Sequence, residues 1–159
     1  MKSLQYQFID SKGGALDIAG VGVTQRDRIP VKAGVVTVRF ISTRPEGPVQ
    51  GVQLYAGKEG KIAMSDGSVT ERLDIWRRPN LPDTVSHRVF CPDGFLSVNN
   101  RYEVQFKDGH VVGEHWTNNA GMTVQRSDGA CRRYGCSDGI GDFCGDDLVF
   151  ELEWKDQAE

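Results

Sequence analysis

Between its glycines and prolines the chain alternates apolar and polar residues. Leu4, Tyr6 and Phe8 are separated by glutamines, and Val36, Val38 and Phe40 by Thr37 and Arg39. The same rhythm runs through Val52 and Leu54, Leu73 and Ile75, and Val85, His87 and Val89. It returns in Tyr102, Val104 and Phe106, and in Leu148, Phe150, Leu152 and Trp154. A period of two puts every second side chain on one face, so each run predicts a strand with one buried side. The pattern amounts to about eight to ten strands. No window keeps helical periodicity over several turns, and Ser68 to Trp76 fits a strand at least as well as a short helical turn. Many short strands punctuated by turns predict an all-β fold. An antiparallel β-sandwich, immunoglobulin-like or jelly-roll, accounts best for half-solvated strands; a closed β-barrel is the alternative.

The turns carry recognisable chemistry. Ser11-Lys12-Gly13-Gly14, Gly57-Lys58-Glu59-Gly60, Ser65-Asp66-Gly67 and Lys107-Asp108-Gly109 combine glycine with residues that tolerate positive φ. Ser127 to Asp147, rich in glycine, cysteine and aspartate, reads as a loop of about twenty residues before the last strand. No repeat or linker divides residues 1–159, so one domain is expected.

Composition narrows the picture. A chain of 159 residues can bury a core without metal or disulfide staples. A net charge of -3 argues against a broadly basic nucleic-acid-binding protein, although Arg77-Arg78 and Arg132-Arg133 are local basic pairs. No run approaches the roughly 20 apolar residues that cross a bilayer, so no membrane partner is expected. The alternating N-terminal segment does not resemble a secretory leader, which favours the cytoplasm over secretion. Cys91, Cys131, Cys136 and Cys144 lack the C-x-x-C spacing of a zinc ribbon; two disulfides and four free thiols both stay open.

The segment from Tyr102 to Val124 carries most of the candidate chemistry. It reads as two strands joined at Asp108-Gly109, the second leading to Trp116, Asn118, Asn119 and Gly121. A flat aromatic beside paired amides suits a sugar, which offers an apolar ring face and hydroxyl groups. Trp76, followed by Arg77-Arg78, is a candidate second platform. Buried tryptophans and turn-capping asparagines would explain the same residues without a ligand.

The 102–124 segment resembles the starch- and glycogen-binding carbohydrate-binding modules of the family 21 type. There, a Tyr-Glu-Val-Gln-Phe-like strand precedes a Trp-Asp-Asn-Asn motif and a later Asn-Tyr. This chain keeps Trp116, Asn118 and Asn119, with Thr117 in place of Asp and Thr123-Val124 in place of Asn-Tyr. The resemblance implies an immunoglobulin-like sandwich and a polysaccharide site.

Asp138, Asp142, Asp146 and Asp147, spaced by flexible glycines, form an oxygen-rich candidate site for calcium, although they do not follow the EF-hand pattern. His110 and His115 fall on opposite faces of a strand, and His87 lies on an apolar face. Glu103 and Glu114, on neighbouring strands of one hairpin, are the carboxylates to consider for glycoside hydrolysis. A Cys-His nucleophilic pair, such as Cys91 with His87 or His115, can be drawn, but no flanking sequence supports it. No phosphate-loop, dinucleotide, G-x-S-x-G or H-E-x-x-H motif occurs. The expected function is noncatalytic glycan binding by Trp116, Asn118, Asn119 and Trp76. A protein-interaction sandwich and a small β-barrel enzyme with an apolar substrate are the alternatives.

Overall fold

The computed structural model describes residues 2–157. A short helix, α1 (Leu4–Asp10), precedes fourteen strands. The first half holds β1 (Leu16–Ile18), β2 (Val21–Val23), β3 (Asp27–Pro30), β4 (Ala33–Thr43), β5 (Gln50–Tyr55), β6 (Lys61–Ala63) and β7 (Val69–Thr70). The second holds β8 (Arg72–Trp76), β9 (Thr84–Phe90), β10 (Phe95–Gln105), β11 (Val111–Glu114), β12 (Gly121–Asp128), β13 (Cys131–Ser137) and β14 (Leu148–Asp156).

All paired strands are antiparallel and form two main sheets. The larger has the order β12-β13-β14-β4-β9-β6-β7. The smaller runs β11-β10-β5-β8, with β3 also on β10. Because β5 takes one side of β10, β3 and β11 share the other, β3 on residues 95–98 and β11 on residues 102–105. A separate β1-β2 hairpin completes the fold.

The sheets pack face to face as a sandwich, not as a closed barrel. Val36, Val38, Phe150, Leu152 and Tyr134 from the larger sheet meet Val52, Leu54, Leu96, Val98 and Ile75 from the smaller in one buried cluster. Burying such side chains contributes roughly 1.5–3 kcal/mol each. Asp27 on β3 ties the layers together, accepting from the Tyr134 hydroxyl at 2.6 Å and from Arg132 at 2.8 Å on β13. No helix among the described residues is long and apolar enough to cross a membrane.

Two local expectations are corrected. Leu4, Tyr6 and Phe8 lie on α1, not on a strand. Leu4 and Phe8 are four apart, so a helix puts them on one stripe, where they bury with Val23; Tyr6 points to solvent. The loop expected over 127–147 is half strand. Gly129, at φ 60°, turns β12 into β13, which buries Tyr134 and Cys136. Arg132, Arg133 and Gly135 between them hid that alternation. All four cysteines are free thiols.

Candidate functional site

Side chains on the outer face of the smaller sheet fall into rows set by strand register. One row holds Arg28, Ser97, Tyr55 and Arg72. The next holds Asn99, Gln53 and Asp74; the third holds Arg101, Gly51 and Trp76. Their strand neighbours Val52, Leu54, Ile75 and Val98 point into the core.

Trp76 lies against this face because two glycines make room. A Cβ on Gly51 would stand 2.6 Å from indole Cε3, and one on Gly113 would stand 3.2 Å from Cζ2. The indole is half-buried, and the guanidinium carbons of Arg78 and Arg101 each lie 5.9 Å from its ring centre. Both arginines are held by carboxylates. Arg101 donates to Asp74 at 2.5 Å and to the Gly113 carbonyl at 2.8 Å, Gln53 donates to Asp74 at 2.8 Å, and Arg78 pairs with Glu103.

Trp116 follows β11, where the chain passes beside the start of β3. Its φ of 61° and the 48° of Asn118 are left-handed, so the segment turns sharply after the strand. The indole N–H donates to the Gln25 carbonyl at 2.9 Å. The ring meets His115 edge-on at 4.5 Å, and Arg26 lies 6.0 Å from its centre. His115 in turn feels the charges of Arg101, Arg72 and Asp74 on the sheet face. Burial, then the Arg101 charge, push its imidazole below the usual histidine range. The order Arg26, Trp116, His115, Arg101, Trp76, Arg78 is therefore a continuous series of cations and rings. The two tryptophans border separate clefts, Trp76 with Leu73, Leu81 and Val85 and Trp116 with Gln25, Arg26 and Arg28.

The predicted asparagines sit elsewhere in this arrangement. Asn118 donates to the Gly139 carbonyl at 3.2 Å and Asn119 to the Gly141 carbonyl at 3.0 Å. Asn119 also accepts from the Leu4 N–H, and the Asn118 carbonyl accepts from the Gln5 N–H. Their groups tie α1 and the 138–147 loop to the turn after β11, a cross-link that spacing alone could not reveal.

The four predicted aspartates divide. Asp138 and Asp147 are buried and adjoining, with the Asp138 N–H donating to Asp147 at 2.9 Å. Gln50 and the Ile140 N–H donate to the Asp138 carboxylate. Burial raises Asp138 above the usual carboxylate range, with the Asp147 charge adding to the shift. Asp146 and Asp147 gather with Cys144, and the Arg44 guanidinium lies 2.9 Å from Asp147 and 3.5 Å from Asp146. Asp142 is exposed and joins no hydrogen bond or ion pair among the described residues. Arg44 is the side-chain cation paired with Asp146 and Asp147.

Asp138 also borders a cleft of about 440 Å³ at the sandwich end, with Arg44, Glu46, Glu103 and Ile140. No aromatic side chain lines it. Glu103 is opposite Gly113, whereas Glu114 is opposite Tyr102, so the two glutamates face opposite sides of the sheet. They do not flank one bond as a glycosidase pair must. His87 Nδ1 lies 2.8 Å from the Ala63 carbonyl, and burial pushes the Cys91 thiol up to about 11, unfavourable for a thiolate nucleophile.

Sequence reasoning missed Tyr55, Arg72 and Arg101, and weighed His115 only as a metal ligand or a partner of Cys91. Each looks like an ordinary solvent-face residue until register aligns it with its neighbours. No protein-family model, curated protein or solved structure matches this chain.

Proposed function

We propose that this chain is a noncatalytic carbohydrate-binding module whose binding surface is the outer face of the smaller sheet. The observation that carries the reading is Trp76, half-buried over Gly51 and Gly113 on that face with Arg78 and Arg101 beside its ring. Trp76 is the main stacking plate, since Gly51 and Gly113 let the indole lie against the sheet. A sugar ring stacks on such a plate through its C–H face, while neighbouring polar groups bond its hydroxyls. Asp74 and Arg101 supply those groups, with the buried Gln53 holding Asp74 in place. Asn118 and Asn119 act indirectly, by holding the Trp116 turn in shape.

Retention on immobilised polysaccharides tests the reading, with starch, glycogen, pectate and dextran side by side. Trp76→Ala is expected to lose retention and Trp116→Ala to weaken it, both with unchanged circular dichroism. If the wild-type chain passes through every matrix unretarded, the reading fails.

A further inference from the structure

Three arginines on the same face have no carboxylate. Arg26, Arg28 and Arg72 are exposed, and their guanidinium groups make no ion pair or hydrogen bond among the described residues. Each is set over a ring instead. Arg28 lies 4.4 Å from the centre of Phe95, Arg72 4.4 Å from Tyr55, and Arg26 6.0 Å from Trp116. Arg28 and Arg72 close the two ends of the row that crosses Ser97 and Tyr55. Three strand spacings separate them, about 14 Å. Arg26, Arg28 and Trp116 also border a cleft of about 320 Å³ with Gln25 and Gly13. The chain as a whole is acidic, so this concentration of unneutralised cations is local.

Resting on the carbohydrate reading above, we propose that the ligand is an anionic polysaccharide whose carboxylate or sulfate groups are taken by Arg26, Arg28 and Arg72. A guanidinium presents a planar fork of donors that matches a carboxylate or sulfate edge, and its charge strengthens each bond. Rings beneath the arginines hold the forks in place. A neutral glycan would leave the three cations without partners. The spread along the row fits a chain with repeated charges better than a single small anion.

The test measures affinity for polygalacturonate, dextran sulfate, neutral dextran, starch and single-stranded oligodeoxythymidylate at physiological salt. The proteins are the wild type, Arg26→Ala/Arg28→Ala, Arg72→Ala and Arg39→Ala. Arg39 is on the outer face of the larger sheet, so its variant removes the same charge from the opposite side. The expected result is retention of polygalacturonate or dextran sulfate, and whichever binds more tightly names the anion. Loss of a charge-assisted contact should weaken binding about tenfold or more in the double variant and in Arg72→Ala. Arg39→Ala should bind as the wild type does.

Binding of starch or dextran that ignores all the arginine variants overturns the anionic ligand and leaves the carbohydrate reading standing. Equal weakening by Arg39→Ala overturns the assignment, because net charge alone would then explain the affinity. Capture of the oligonucleotide with no glycan bound overturns both proposals. So does retention of none of the five ligands.

Discussion

Each outer sheet face carries a set of three arginines, and the two sets dispose of their charge in opposite ways. On the larger sheet, Arg126, Arg133, Glu151 and Arg39 stand in one cross-strand row. All three guanidinium groups converge on Glu151, at 3.3, 2.5 and 3.4 Å. The bond from Arg133 is the largest influence holding the Glu151 carboxyl below the usual range, even though burial opposes it. On the smaller sheet, Asp74 and Glu103 engage Arg101 and Arg78, while Arg26, Arg28 and Arg72 rest over aromatic rings. A cation with an internal carboxylate adds to stability; a cation over a ring keeps its outward donors available. One row of arginines is thus satisfied within the fold, while the other three keep their donors outward; the next row of the larger sheet, Lys155, Val35 and Arg88, has no carboxylate among the described residues either.

Removing the central plate should break that contrast most. Trp76→Ala is expected to weaken glycan binding by about 2 kcal/mol or more, as a buried aromatic anchor does at an interface. Titration calorimetry on the tightest polysaccharide measures the loss, and an unchanged affinity would move the site away from this face. Glu151→Gln should do the converse. It leaves three arginines around a neutral amide and costs about 1–3 kcal/mol of stability, with binding unaffected. Urea unfolding reads the first quantity and the retention assay the second. A smaller effect is expected from Gly51→Ala. The new Cβ meets Cε3 of Trp76 and the Ile75 carbonyl, so the indole must tilt. The cost is about 1–2 kcal/mol of stability, with a measurable fall in affinity. If Gly51→Ala binds as the wild type does, the flat indole is not what the ligand uses.

The finest test of the contrast is acid stability, because each face carries one group with a depressed folded value. For both, protonation is harder in the folded chain than in the unfolded one. Their stabilisation is therefore complete above the unfolded value and declines as pH falls toward and through the folded value. For His115 the decline begins near its ordinary 6.5, and for Glu151 near its ordinary 4.5. Urea midpoints measured across that range should fall in two stages. His115→Gln should remove the upper stage and Glu151→Gln the lower; a single stage insensitive to His115→Gln would show that this imidazole titrates normally.

Reading the site from the sequence succeeds unevenly, for reasons visible in particular residues. Trp76 and Trp116 are conspicuous because large aromatics beside polar loops are chemically distinctive. Their neighbours are not legible, since only the end-to-end placement of β3 and β11 along β10 puts Trp116 beside Gln25 and Gly113 beneath Trp76. Asn118 and Asn119 attract attention as amides next to a tryptophan. Their partners, Gly139, Gly141 and Leu4, lie far along the chain and become apparent only when the loop and helix close on the turn.

What the amino-acid order by itself determined is local and periodic. Alternation specifies strands and their buried sides, because a pleated backbone sends successive side chains to opposite faces. Asp108-Gly109 specifies the β10–β11 hairpin, because glycine enters the left-handed turn region without a steric penalty. Tertiary structure decided the rest. The five residues from Leu4 to Phe8 satisfy a strand and a helix equally well, and burial beside Val23 selects the helix. Register decided which arginines meet carboxylates and which meet rings, since a one-residue shift would send each to the other face of its sheet. The binding character proposed for the smaller sheet arises there, in the alignment of strands that are distant in sequence.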